Sequence, residues 1–217
     1  MSTNKSKIAV IGLGNIGKVV ATNLVKGNRP VIVASRKIEE AKSFAQHVGS
    51  LATALEVSDA IKEADMVVLS VPFGTIKELV SKRAAEFKGK IIIDPSNPIA
   101  PDGNGGFKKI VGENESAGEI IAGLLPSGAK LVKAFGTLSA GSLSGAARRK
   151  LDAAVLFYAA DDASVNDKIE ELIKDSGFDP VRVGGIDQSI RIEVFGDLHE
   201  FGALGKVATL AEVEAKV

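Results

Sequence analysis

The sequence predicts an α/β fold: a doubly wound, mostly parallel sheet with a short C-terminal helical extension. Three observations predict it. Short apolar runs recur along the chain with helical patterns between them. Several runs are apolar at every position rather than alternating, as strands covered on both faces must be. The first run ends in a glycine cluster that can turn a strand tightly into a helix.

Ile8, Ala9, Val10 and Ile11 form the first strand. Ile16, Val19, Val20 and Leu24 then fall at helical spacing, and Gly27-Asn28 stops that helix. Pro30 opens a second strand from Val31 to Ala34, followed by a helix over 38–48. Residues 50–54 make a short, weak strand, and Ser58 is placed to cap the next helix. Residues 66–71 read as a buried strand that Pro72 ends, 76–87 as a helix, and 91–94 as a strand. The prolines and glycines of 95–112 predict a loop. A helix over 116–125 and a strand over 131–134 come next, then a small-residue loop over 136–145. A strand at 153–158, a helix at 163–175 and a strand at 180–183 complete the sheet. Beyond Asp187, residues Ile190, Val194, Leu198, Leu204 and Val207 keep a helical pattern. The expected organisation is one nucleotide-binding domain over 1–186, with 187–217 as an extension that is no independent domain.

Composition excludes several classes. With 45% hydrophobic residues the chain has material for a sizeable core. Lys+Arg and Asp+Glu stand at 27 each, whereas a nucleic-acid surface needs a basic excess. The absence of cysteine removes disulfides, iron–sulfur clusters and thiolate chemistry. The two histidines, His47 and His199, lie far apart in sequence, so no metal site is expected. Residues 1–7 are polar and lead straight into a strand, unlike a signal peptide or a membrane span. A soluble, cytoplasmic protein is the expectation.

The cluster Gly12-Leu13-Gly14-Asn15-Ile16-Gly17 carries the first chemical signal. Gly12 permits the tight turn, Gly14 lets a pyrophosphate approach the backbone, and Gly17 allows close helix packing. The pyrophosphate then rests on free N–H groups at a helix N-terminus, where the dipole favours negative charge. Following a strand and opening a βαβ unit, the motif points to a Rossmann-type dinucleotide site. The second strand ends in Ser35-Arg36-Lys37, where an NAD site usually places Asp or Glu. A carboxylate there would repel a 2′-phosphate, whereas a guanidinium can pair with it. The cofactor expected is therefore NADP rather than NAD.

Ligands of such sheets lie beyond the carboxyl ends of the strands. This places Val71, Pro72 and Phe73, then Asn97, then Ala134, Phe135 and Thr137 along the cofactor. Phe73 reads equally as a flat contact for the ligand or as core packing. Asn97 reads as a partner of the nicotinamide carboxamide or ribose, or as a turn-forming residue before Pro98. Phe135 and Thr137 are expected nearest the reacting ring. His199 is the one candidate proton donor late in the chain, weighed against a surface histidine among Arg191, Asp197 and Glu200.

The chain resembles the NADP oxidoreductases that use the deazaflavin coenzyme F420. The resemblance rests on Ile11 to Gly17, Ala34-Ser35-Arg36, Val71-Pro72-Phe73 and Asp94-Pro95-Ser96-Asn97-Pro98. It extends to Ser116 through Ala122 and to Lys133-Ala134-Phe135-Gly136-Thr137-Leu138. It implies that Ser35 and Arg36 hold the 2′-phosphate, that a flavin-like or deazaflavin acceptor lies against the nicotinamide, and that the protein is a homodimer. Two positions depart from the family. Gly136 stands where members often carry Asn or His, and Glu40 stands in the region of a second basic contact, for which Lys37 can substitute.

The function expected is hydride transfer between a nicotinamide and that acceptor. It needs parallel rings at about 3–3.5 Å and excluded water more than an acid or base. Two other readings stand beside it. One is an NADP(H)-binding redox sensor without turnover. The other is a dehydrogenase of small hydroxy or imino acids; those enzymes add a large helical domain, which in the hydroxyacid group carries a catalytic lysine, and it ranks lower because only residues 184–217 follow the expected last strand in this sequence.

Overall fold

The computed structural model describes residues 5–213. Positions 1–4 of the polar N-terminal stretch, and 214–217 of the expected C-terminal extension, lie outside the described residues.

Buried apolar runs form the centre of one eight-stranded sheet. Its strands are β1 (Ile8–Ile11), β2 (Val31–Ala34), β3 (Ala52–Ala54), β4 (Met66–Leu69) and β5 (Ile91–Asp94). After a separate hairpin of β6 (Ile99–Pro101) and β7 (Phe107–Lys109) come β8 (Lys130–Ala134), β9 (Val155–Ala159) and β10 (Asp179–Gly184). The sheet order is β10-β9-β8-β5-β4-β1-β2-β3. All neighbours pair parallel except β8 and β9, so the last two strands run against the others. The order reverses between β1 and β4, which opens a crevice at their carboxyl ends.

Helices cover both faces. α1 (Asn15–Lys26) buries Gly17, Val20, Ala21 and Leu24, and α2 (Ile38–Val48) buries Ala41 and Ala45. With α8 (Asn166–Ser176) they enclose one core around Val10, Met66, Ile93 and Tyr158. α3 (Val57–Glu63), α4 (Phe73–Lys82), α5 (Ala84–Phe87) and α6 (Ala117–Ala122) enclose the other around Ile11, Leu69, Ile92 and Phe87. No helix among the described residues is long and apolar enough to cross a membrane.

Five boundaries differ from the sequence expectation. The loop expected over 95–112 contains the β6–β7 hairpin, turned by Gly103 and Gly105 at positive φ and by Asp102 Oδ1, which accepts from Asn104 N and Gly106 N. The helix expected over 76–87 starts at Phe73 and breaks at Arg83, giving α4 and α5. Ser58 lies inside α3 and donates to Glu86 Oε2 at 3.0 Å instead of capping the helix. The loop expected over 136–145 holds α7 (Ala140–Gly145), capped by Ser139 Oγ accepting from Ser142 N.

The largest difference lies after Asp187. Among the described residues, only α9 (Ser189–Ile192) and α10 (Leu210–Val213) are α-helical there. Long-range hydrogen bonds capture the backbone just past Ile192, and Phe195 enters the left-handed region at φ 72°. Gly196 and Gly202 then pack so closely that a Cβ on Gly202 would meet Gly196 O at 1.8 Å. Leu198 is nonetheless buried, in a third small core with Phe157 and Val183.

Candidate cofactor site

The glycine turn divides its work by position. Gly12 has φ +97°, donates to Ala34 O at 2.8 Å, and leaves no room for a Cβ, which would meet Ser70 O at 2.3 Å. A Cβ on Gly17 would meet Gly12 O at 1.9 Å, so the close approach there is of helix to turn. Gly14 has nothing within 4 Å of its Cβ position. It is also the N-cap of α1 and offers no side chain to the first N–H groups. The exposed start of a three-turn helix thus faces open space, as an anion site requires.

Beside Gly14 lies a cavity of about 280 Å³. Gly14, Asn15 and Ile16 line it from β1, Val71, Pro72 and Phe73 from β4, and Pro95, Ser96 and Asn97 from β5. Phe73 is buried in the second core and also lines the cavity. Lys77 Nζ lies 4.9 Å from the Phe73 ring centroid.

The end of β2 is the neighbouring rim. Arg36 is exposed and has no hydrogen-bond or ion-pair partner among the described residues. Ser35 is buried, and its hydroxyl donates to Lys37 O at 2.6 Å. Of the three residues expected there, the serine oxygen is therefore partly committed to the turn. Lys37 Nζ stands 3.8 Å from Glu40 Oε1, so a carboxylate shares the rim with the two cations. Open space at Gly14, an uncapped N-terminus on α1 and a free guanidinium at Arg36 together fit a phosphorylated dinucleotide.

The acceptor side differs from expectation. Ala134, Phe135 and Thr137 do not line the cavity; all three are buried, with Phe135 turned by φ 65° into the first core. The apolar β8 strand end is drawn inward because Gly136 packs directly on the Pro95 backbone, where a Cβ would meet Pro95 O at 2.7 Å. Asn97 is also more committed than a ligand contact would be. Its Nδ2 donates to Gly136 O at 3.0 Å and its Oδ1 accepts from Val194 N at 2.7 Å. One N–H and one lone pair of its amide remain.

His199 is not a surface histidine. It is 2% exposed, its Nε2 lies 3.1 Å from Gly136 O, and its Nδ1 accepts from Phe201 N at 3.0 Å. These partners select the neutral Nε2–H tautomer. Burial holds its pKa below the ordinary histidine value, opposed by the Gly136 carbonyl and by Glu200. Arg191 pairs with Asp197 at 2.9 Å in a separate ion pair.

One buried group escaped the sequence reading. Lys133 Nζ lies 2.9 Å from Asp94 and 3.4 Å from Glu193, all three essentially buried. Lys133 also donates to Ser96 O, while Asp94 Oδ1 accepts from Ser96 N at 2.7 Å. Glu193 accepts from Ala117 N and Gly118 N at 2.9 Å each, at the start of α6. The peptide of Ser96, on the cavity wall, is thus fixed from both sides. The available signal was a charge closing each of two apolar strands, Asp94 and Lys133. The hydroxyls of Ser96 and Thr137 stay buried without a partner among the described residues.

Known proteins match this arrangement. The family described as "NADP oxidoreductase coenzyme F420-dependent" matches residues 7–98. The F420-dependent NADP reductase of Methanocaldococcus jannaschii is 31% identical over 140 residues, 59% of this chain and 62% of the relative. The metalloreductase STEAP3 of Rattus norvegicus is 27% identical over 86% of this chain and 36% of its own length. The chain thus spans less than two thirds of either curated relative. A solved structure of a hypothetical protein from Sinorhizobium meliloti superposes with a TM-score of 0.81 at 30% identity, covering 91% of this chain and 95% of that one. Taken with the glycine turn and the strand-end cavity, these matches relate the chain to the F420-dependent NADP oxidoreductase family, whose model covers residues 7–98.

Proposed function

We propose that this protein is an NADP(H)-dependent oxidoreductase whose hydride partner is a planar flavin-like or deazaflavin molecule, and that it works as a homodimer. The observation that carries the reading is the pairing of a free Arg36 guanidinium at the end of β2 with the open Gly14 turn and its cavity. Gly14 and the α1 N-terminus would hold the pyrophosphate, with Asn15 and Ile16 beside it. Arg36 and Lys37 would take the 2′-phosphate, with Ser35 shaping the turn that presents them. Val71, Pro72 and Phe73 form an apolar wall that excludes water from the nicotinamide half.

When bound, the nicotinamide supplies the hydride; the chain's own residues position it. Asn97 retains an amide N–H and a lone pair for the carboxamide or ribose. No charged side chain lines the cavity among the described residues, which suits transfer without an acid or base.

The test is titration with NADPH and NADH, followed by the absorbance of the reduced nicotinamide band with coenzyme F420, flavins and quinones added. Consumption of NADPH with one of these acceptors supports the reductase. Tight NADPH binding with no turnover on any of them assigns a redox sensor instead. Tighter NADH than NADPH binding overturns the assignment to Arg36.

A further inference from the structure

The carbonyl oxygen of Gly136 accepts from two side chains at once, Asn97 Nδ2 at 3.0 Å and His199 Nε2 at 3.1 Å. Neither donor is loose. Asn97 is oriented by Val194 N on its Oδ1, and His199 by Phe201 N on its Nδ1. Gly136 itself cannot shift toward β5, because it already rests on the Pro95 backbone. Three segments therefore meet at one oxygen: the β5 loop that lines the cavity, the β8 loop, and the C-terminal segment after α9.

That C-terminal segment is tied down along its length. Glu193 is held by Lys133 and by the α6 backbone, and Glu200 N donates to Thr137 O at 3.2 Å. Glu200 also accepts from Ser139 N. Without His199, the Gly136 oxygen would keep Asn97 alone, and the part-buried Phe201 N–H would lose its acceptor. The Gly136 carbonyl and the Phe201 N–H would each lose a partner that fixes them, so the segment would resettle. Asn97 would then lose the fixed partner that sets its amide plane.

We propose that His199 is a positioning residue, which through the Gly136 carbonyl holds the Asn97 amide in the orientation the nicotinamide half of the coenzyme requires. The inference rests on the coenzyme reading above. It assigns the C-terminal segment a part in binding, although His199 itself touches no ligand. The adenosine half, at Gly14 and Arg36, lies on other strands and is independent of it.

The experiment compares two probes on the full chain, NADPH and 2′,5′-ADP, the second lacking the nicotinamide half. In His199→Leu, NADPH affinity is expected to fall about three- to tenfold, while 2′,5′-ADP affinity stays within about twofold. The fluorescence of bound NADPH should also shift toward that of the free coenzyme. His199→Gln keeps a side-chain N–H within reach and should recover most of the NADPH affinity. Should His199→Leu fail to fold, His199→Asn, polar but too short to reach Gly136, carries the same comparison. Unchanged NADPH affinity and fluorescence in a folded variant overturn the proposal. Equal losses for both probes also overturn it, since they report a general loosening. If the wild-type protein binds neither probe, the coenzyme reading itself is wrong.

Discussion

His199 and Gly136 are joined by a buried hydrogen bond of 3.1 Å, across 63 residues of sequence. Gly136 has no room for a side chain, and an imidazole from a distant segment lies against its carbonyl. Because Asn97 donates to the same carbonyl, the pair ties the cavity wall to the C-terminal segment.

Gly136→Ala should destabilise the protein. The new Cβ would stand 2.7 Å from Pro95 O, a backbone atom that cannot swing aside. A loss of about 1–3 kcal/mol is expected, typical of an overpacked site. Urea unfolding monitored by circular dichroism measures it, and Gly145→Ala, with open space around its Cβ, is the matched control.

The pH dependence of stability follows from the depressed pKa of His199. The folded protein favours the neutral ring, so the unfolded chain binds the proton more readily. The contribution is complete above the unfolded value of about 6.5 and is lost as pH falls from there through the folded value. The midpoint of urea unfolding should therefore drop between pH 7.5 and pH 5 more steeply in the wild type than in His199→Gln. Parallel slopes would show that His199 stays uncoupled from folding in this range.

Arg36→Ala should weaken NADPH by about 1.5–3 kcal/mol, the worth of a charged hydrogen bond, and leave NADH nearly unchanged. Glu40→Gln removes the carboxylate that now stands 3.8 Å from Lys37 and should strengthen NADPH binding modestly. Isothermal titration with both coenzymes reads the two effects. Equal losses for NADPH and NADH in Arg36→Ala would make that residue structural.

The glycines of the turn should separate cleanly. Gly14→Val has space for its side chain and an ordinary φ of −74°, so folding should survive while coenzyme binding falls at least about tenfold, as the side chain fills the phosphate site. Gly17→Ala would press its methyl to 1.9 Å from Gly12 O, so stability itself should drop. Thermal melts and NADPH titrations of both variants distinguish the roles.

Lys133→Met leaves Asp94 and Glu193 buried without their shared cation. A destabilisation of about 3–5 kcal/mol is expected, because an uncompensated buried charge costs more than the pair contributes. Chemical denaturation checks it. A change below about 1 kcal/mol would mean that water reaches the carboxylates once the ammonium is gone.

The glycine turn was legible in the sequence because its requirements are local. A left-handed Gly12, an unobstructed Gly14 and a close-packed Gly17 are demands on single backbone positions, and Arg36 announces itself by standing where a carboxylate is usual. The buried strands were legible for the same reason, as each run is short and uniformly apolar. The hairpin at Ile99–Pro101 and Phe107–Lys109 was hidden, since its glycine-rich turn reads as loop. The segment after Ile192 misled in the other direction. Its apolar spacing matches a helix, but Asn97 takes the Val194 N–H and Gly202 packs on Gly196, so the helix ends.

By itself the sequence determined the doubly wound sheet, the site of the dinucleotide turn and the cation that faces its rim. Only the tertiary structure decided the side where the sequence places an acceptor. It turned Phe135 and Thr137 inward, buried His199 as a neutral ring, and bound Asn97 to partners 39 and 97 residues away. Hydrogen bonds over such separations leave no periodic trace in a chain, because their donors and acceptors are set by how strands and loops pack, and not by their neighbours in sequence.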